Sequence, residues 1–210
     1  MTFTFKIKIE GSLKPPIWRK VKVPAKISFD DFHMVIQAVF GWTNSHMYLF
    51  SEKGYGSFPS LRYDYNDDIQ DGFEFEDPET YPYGGNHYDS SKIVLKDYFG
   101  SFKQRMIYIY DFGDDWKHSI VLTDVTDELV LRPVCLGGKS RGPVEDCGGI
   151  NGYYYMLNII SDKEHPEYND WREWLDMEEG EEWDETAFDL EDTNRYLHAV
   201  WDAWQKKLKS

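Results

Sequence analysis

Cysteine is scarce: Cys135 and Cys147 are the only two in 210 residues. Two thiols cannot build a disulfide framework, so a reduced, cytoplasmic setting is the expectation. Long apolar runs are missing as well. No stretch reaches the roughly 18 residues needed to cross a bilayer, and the opening MTFTFKIKIE alternates charge and bulk instead of forming the apolar centre of a signal peptide. Neither membrane insertion nor secretion is expected. Positive charge is in short supply, with 23 Lys and Arg against 38 Asp and Glu, a net charge of −15. A chain so acidic repels phosphate, which disfavours non-specific nucleic-acid binding. The phosphate-cradling spacings G-x-G-x-x-G and G-x-x-x-x-G-K-[ST] are absent. So are cysteine pairs about two to four residues apart, the mark of structural zinc sites. There is no internal repeat and no low-complexity linker.

What is present is enough for one domain. Hydrophobic residues make up 41% and aromatics 17% of the chain, which can fill a core over residues 1–210. The acidity is local. Residues 162–192 hold 15 acids and two bases, a net of −13, and the 176–187 stretch within them reads as a solvated acidic segment. Positions 1–53 carry eight Lys and Arg against four Asp and Glu, leaving a basic N-terminal face. Trp18 beside Lys20 and Lys22 offers that face a means of stacking nucleic-acid bases. The acidic region can instead meet a basic protein partner.

Period-two alternation predicts a strand over 3–10 and another over 17–23, the latter with Ile17, Arg19, Val21 and Val23 on one face. A helix over 28–40 follows. Ser28 and Asp31 have the spacing of a capping box, Phe29, Phe32, Val35, Ile36, Val39 and Phe40 share a face, and Gly41 provides the stop. HMYLF at 46–50 reads as a strand. Residues 54–91, with six tyrosines, nine acids and one base, read as a long loop or inserted lobe. Their Asp64-x-Asn66-x-Asp68 run fails as a calcium loop, because Ile69 stands where glycine is needed and Phe75 where the bidentate glutamate is needed. Residues 92–99 give a helical turn or two. Strands over 103–110 and 116–123 form a hairpin around Asp111-Phe112-Gly113-Asp114-Asp115, with Trp116, His118, Ile120 and Leu122 on one face. After a glycine-rich 133–152, helices are expected at about 151–160, 166–175 and 189–208, the last with a stripe of Leu197, Val200, Trp201, Trp204 and Leu208. Strands and helices segregate, so the expected class is α+β: a mostly antiparallel sheet covered by the 28–40 helix and the C-terminal helices.

Two segments carry chemistry. The 110–118 hairpin tip offers Asp111, Asp114, Asp115 and His118 beside Trp116. Carboxylates and an imidazole this close can ligate a divalent metal or serve as general base and acid. The same residues also make an ordinary aspartate turn, with His118 as a core histidine. The second segment runs from Cys135 to Cys147 and includes Glu145, Asp146 and Gly148-Gly149. Its thiols stand far apart in sequence, and a buried free thiol is the plainer reading. If the segments converge, the catalytic candidates are Asp111, Asp114, His118, Glu145 and Asp146. The metal candidates are then Asp114, His118 and Cys147, with zinc or manganese as the cation. His33 and His46, at a helix end and the next strand, form another possible ligand pair or two packing residues. The string DFG lacks every other part of a kinase.

Four ordered segments, PPIWRKVKVP (15–24) leading into HMVIQAVFGWTNSHMYLF (33–50), YDFGDDWKH (110–118), PVCLGG with PVEDCGGINGYYYML (133–157), and FDLEDTNRYL (188–197), resemble the plasmid pRiA4b ORF-3-like family. The resemblance implies an α+β domain of bacteria and archaea, in some cases near mobile elements, with no established activity. Some members have been called transposon resolvases, but Ser12 and Ser28 lack the arginine-rich setting of a serine-resolvase nucleophile. Two functions follow. One is a non-enzymatic binding or adaptor protein associated with mobile elements. The other is a small metal-dependent hydrolase whose site needs 111–118 and 145–147 to meet in one open cleft.

Overall fold

The computed structural model describes residues 1–62, 87–100 and 104–209. In chain order the elements are β1 (Thr2–Ile9), β2 (Trp18–Pro24), α1 (Phe29–Phe40), β3 (Tyr48–Ser51), β4 (Ser60–Arg62), β5 (His87–Asp89), α2 (Leu95–Tyr98), β6 (Arg105–Tyr110), β7 (Trp116–Thr126), β8 (Val134–Lys139), α3 (Gly149–Ile160), α4 (Tyr168–Trp174) and α5 (Leu190–Lys207). The strands form one sheet in the order β5-β4-β3-β6-β7-β1-β2-β8. Neighbours run antiparallel except β4 and β5, which pair in parallel. The α+β class is the one expected.

Alternation builds the centre. Phe3, Phe5, Ile7 and Ile9 of β1 are all buried on one face, between β7 and β2. Helix α1 lays its apolar side there, with the Phe32 ring 4.9 Å from Phe5 and the Phe29 ring 5.2 Å from Phe50. Each buried phenylalanine contributes roughly 2–3 kcal/mol of apolar transfer. The helix begins where its capping box is made: Asp31 N donates to Ser28 Oγ at 2.9 Å, and Ser28 N donates to Asp31 Oδ2 at 3.0 Å. It ends at Gly41, whose φ of 82° suits a residue without Cβ.

Three expectations are corrected. The glycine-rich 133–152 stretch, for which alternation predicts no strand, contains strand β8 at the sheet edge beside β2. Its pattern is hidden because Gly138 must be glycine: a Cβ there would stand 2.6 Å from Phe188 and 2.9 Å from the Arg19 side chain. The 54–91 segment contributes β4 and β5 at its two ends, while its Asp64–Asp68 run lies outside the described residues. Leu208 is exposed at 58%, so the stripe of α5 closes earlier, on buried Leu197 and Trp201. The outer edge of β8 is blunted by α5. Asn194 Oδ1 accepts from Cys135 N at 2.8 Å, and Asn194 Nδ2 donates to Cys135 O at 2.9 Å, which occupies groups that would otherwise invite another strand.

Two histidines fold as uncharged core residues. The His33 ring stacks on Tyr48 at 3.7 Å, with Nδ1 2.8 Å from Tyr108 Oη and Nε2 2.7 Å from Asn44 Oδ1. The His118 ring packs among Phe40, Trp42 and Tyr108, and its Nδ1–H donates to the Trp116 carbonyl at 2.9 Å. Burial pushes each imidazole from its ordinary 6.5 down to about 3.

Between those values the unfolded chain binds more protons than the folded one. Stability from this source is complete above about pH 6.5 and is lost as pH falls toward 3, by roughly 1.4 kcal/mol per pH unit per histidine. Urea unfolding should show that decline between pH 6 and 5; a flat profile there would mean that the rings are solvated or charged in the folded protein. Replacement of Asn194 by alanine should cost about 1–3 kcal/mol in the same assay, and no loss of stability would mean that the β8 clip contributes nothing.

Candidate metal centre

Three connections meet at one end of the sheet: 41–47 after α1, 111–115 between β6 and β7, and 140–148 before α3. Register brings the first two together, since Tyr48 pairs with Tyr110 and Asp111 N donates to Met47 O at 2.9 Å. The third is pinned to both. Trp42 Nε1 donates to Pro143 O at 2.8 Å. Glu145 accepts from Thr43 N at 2.9 Å, from Thr43 Oγ1 at 2.8 Å and from the Tyr110 hydroxyl at 2.5 Å. Asp114 Oδ2 accepts from Gly148 N at 3.0 Å. Gly149 permits the approach, because a Cβ there would lie 2.1 Å from the Asp114 carbonyl oxygen.

At this junction His46 Nε2 lies 2.9 Å from Asp146 Oδ1 and 3.8 Å from Asp111 Oδ2. One ligand atom from each residue falls within 4.8 Å of the other two. The side chains are 13% exposed at Asp111, 30% at His46 and 63% at Asp146, so the cluster opens to solvent on the Asp146 side. Asp111 is fixed by its other oxygen, Oδ1, which accepts from Gly113 N at 2.9 Å. The His46 ring stands edge-on to Tyr110 at 5.7 Å. The 41–46 turn is held from below: Asn44 N donates to Gln37 Oε1 at 2.9 Å, and the Asn44 side chain meets His33.

The backbone here is unusual. Asn44, Asp111, Asp115 and Asp146 have φ of 60°, 56°, 55° and 61°, left-handed values that residues with a Cβ seldom adopt. Such conformations cost on the order of 1 kcal/mol each and collect at functional sites.

The two polar segments singled out in the sequence therefore do converge, but with a different membership. Asp111 and Asp146 enter the cluster. Glu145 stands beside it with both oxygens engaged, and Asp114 fastens the Gly148 turn. His118 is in the core, fully buried, and lies outside the cluster. Cys147 is also outside; burial, then the Asp114 charge, pushes its thiol up to about 12, leaving it protonated and unsuited to hold a cation. The imidazole in the cluster is His46. The sequence offers it as a candidate, but paired with His33, which points inward. The missing signal is strand order: only β3 lying against β6 carries His46 to Asp111. Among the described residues, no helix is long and apolar enough to cross a membrane.

The comparisons agree on kinship and assign no activity. Residues 1–192 match the family described as plasmid pRiA4b ORF-3-like protein. An uncharacterized protein, y4hQ, of Sinorhizobium fredii (strain NBRC 101917 / NGR234) is 27% identical over 199 residues, covering 94% of this chain and 91% of that one. The crystal structure of a protein of unknown function, MM3350, from Methanosarcina mazei Go1 is similar with a TM-score of 0.70 and 31% identity, over 91% of this chain and 96% of that chain. With its match taking in the first three motifs whole and the start of the fourth, the chain belongs to the plasmid pRiA4b ORF-3-like family.

Proposed function

We propose that the protein binds a divalent cation through His46, Asp111 and Asp146 and acts as a small metal-dependent hydrolase. The observation that carries this reading is the convergence of one imidazole and two carboxylates, from three separate connections, within 4.8 Å at a solvent-facing rim. An imidazole with carboxylates suits zinc or manganese. Bonds of about 2.0–2.2 Å to such a cation place neighbouring ligand atoms roughly 3–3.5 Å apart, so a small contraction completes the set. Three protein ligands leave a position for water, the pattern of catalytic rather than structural sites. A bound cation would supply Lewis acidity and lower the pKa of that water to about 7. The chain's own residues position the ligands: Gly113 N orients Asp111, Tyr110 buttresses the His46 ring, and Glu145 holds the Asp146 turn against β6.

The adaptor reading rests on the segregation of charge between the N-terminal strands and residues 162–192. That pattern asks only for solvated surfaces. The cluster is the more specific feature, because it needs strained backbone and a defined strand order.

Protein purified without chelator, or reconstituted with zinc or manganese, should hold about one equivalent by elemental analysis. His46→Ala and Asp146→Asn should each weaken binding at least tenfold while the circular dichroism stays unchanged. Chelator-sensitive turnover of chromogenic phosphate or acyl esters, lost in Asp146→Asn, should accompany it. Absence of metal after reconstitution removes the proposal; metal without turnover removes its hydrolytic half. Glu145→Gln, which keeps the shape but weakens the grip on Thr43, should reduce metal affinity by roughly 10–100-fold, as outer partners of metal ligands do.

A further inference from the structure

Arg19 is a cation buried in the sheet with no acid to answer it. It sits on the core face of β2, 3% exposed, and no carboxylate lies within 4.0 Å of it among the described residues. Three of its donor contacts go to carbonyls: Nε to Val39 O at 2.8 Å, and Nη1 to Trp18 O at 2.9 Å and Lys139 O at 3.0 Å. These tie α1, β2 and β8 together. The guanidinium plane is lined by the rings of Phe188 at 4.6 Å and Phe40 at 5.1 Å. Nη2 makes no hydrogen bond among the described residues. Burial lowers the group only to about 10, so the charge remains at neutral pH.

Arg19 borders an open surface depression of about 250 Å³ that lies outside the metal cluster. Arg141 also lines it, its guanidinium 4.2 Å over the Trp183 ring, with no ion pair among the described residues. Ala38, Val39, Phe40, Ala187 and Phe188 give it an apolar part, and Thr193 and Tyr196 of α5 add hydroxyls. Two acids at the rim are already engaged. Asp189 caps α5 by accepting from Asp192 N at 2.8 Å, and Asp192 pairs with Arg195. Glycine lets the walls close up: a Cβ on Gly142 would fall 2.0 Å from the Phe40 carbonyl oxygen, and one on Gly138 would strike Phe188 and Arg19.

We propose that this depression binds a small apolar monocarboxylate, its carboxylate held between Arg19 Nη2 and Arg141 and its body against the aliphatic and aromatic walls. Guanidinium donors match a carboxylate in a plane. A buried cation is costly without compensation; carbonyls answer Nε and Nη1, and Nη2 is the donor left for an anion. The rim carboxylates Asp189 and Asp192 work against a polyanion and leave room for a single negative charge. The volume falls below the usual range for drug-sized ligands and fits a small acid.

Benzoate and hexanoate are the probes, with benzamide, hexanamide and inorganic phosphate as comparisons, titrated into the full chain by calorimetry and by amide chemical-shift mapping. The expected result is saturable binding of at least one acid, at least tenfold tighter than its amide, with shifts centred on Gly41, Gly142 and Phe188. Arg141→Gln should weaken it at least tenfold and Arg141→Lys should restore part of the loss. These variants keep the buried Arg19 ties, so the test does not depend on a variant that fails to fold. Equal binding of acid and amide, unaltered binding in Arg141→Gln, no saturable binding, or preference for phosphate would each overturn the assignment. Metal content is measured in parallel and should not change, which separates this site from the His46 cluster.

Discussion

Glu145 carries three hydrogen bonds from two other segments, and the functional end of the molecule is assembled around it. Remove that carboxylate, and only Trp42 to Pro143 and Asp114 to Gly148 still hydrogen-bond the 140–148 connection to the other two, while Ser140 to Pro16 and Arg141 to Glu185 hold its start elsewhere. The contact to Tyr110 is the decisive one, because Tyr110 is the last residue of β6 and Asp111 follows it directly. One side chain thereby fixes the distance between a strand end and a loop separated by 35 residues in sequence. Burial, then the hydrogen bond and charge of Glu145, raise the Tyr110 phenol above its ordinary range, so it stays protonated and remains the donor across the useful pH range. Charge-assisted bonds of this kind are worth about 1.5–3 kcal/mol when shielded from water. That is the scale needed to hold Asn44, Asp111, Asp115 and Asp146 in left-handed backbone, at on the order of 1 kcal/mol each.

The strain has a direction. Asp and Asn enter the left-handed region more readily than other residues with a Cβ, and of the left-handed non-glycine positions among the described residues all but Asp176 lie on the converging connections. A turn built with glycine would reach the same conformation with less strain. At Asp111 and Asp146, however, the side chain itself faces His46. The sequence therefore accepts backbone cost in return for a carboxylate at a defined place. Glycine stands where no side chain is needed. Gly113, two residues after Asp111, donates its N–H to Oδ1, where a Cβ would come within 3.2 Å of that same oxygen. Gly149 passes under Asp114, where any Cβ would collide.

Much of this was legible in the residues. Alternation marked β1, β2, β6 and β7, and the capping box with Gly41 marked both ends of α1, because these patterns reflect local geometry. Arg19 on the core face of β2 was also readable from its register with Val21 and Val23. Strand β8 was not readable, since Gly137 and Gly138 interrupt its alternation and the reason for Gly138 lies in Phe188, far along the chain. The site was half legible. Asp111 and Asp146 announce themselves by composition, and the turn sequences around them show that they end strands and open helices. His46 and His118 look alike on paper, as histidines beside aromatic strand residues. Only packing divides them: His118 alternates with Ile120 and Leu122 into the core, whereas His46 stands two residues before β3 begins and is left at its mouth.

The same division explains why the cluster is polar at all in so aromatic a protein. His33, Gln37 and Tyr108 form a buried hydrogen-bonded group under the 41–46 turn, with Gln37 Nε2 donating to Tyr108 Oη at 3.0 Å, and exposed Asn44 bonds to it from above. Buried polar groups of this kind are favourable only when every partner is in place. The group therefore leaves the turn few alternative conformations, and the one it selects ties the Asn44 side chain to His33 and sets His46 beside Asp111 and Asp146. An apolar core at His33 and Gln37 would pack as well, but it would place no constraint on residue 44. The interior network and the solvent-facing cluster are thus two ends of one device: the first fixes the backbone from which the second projects.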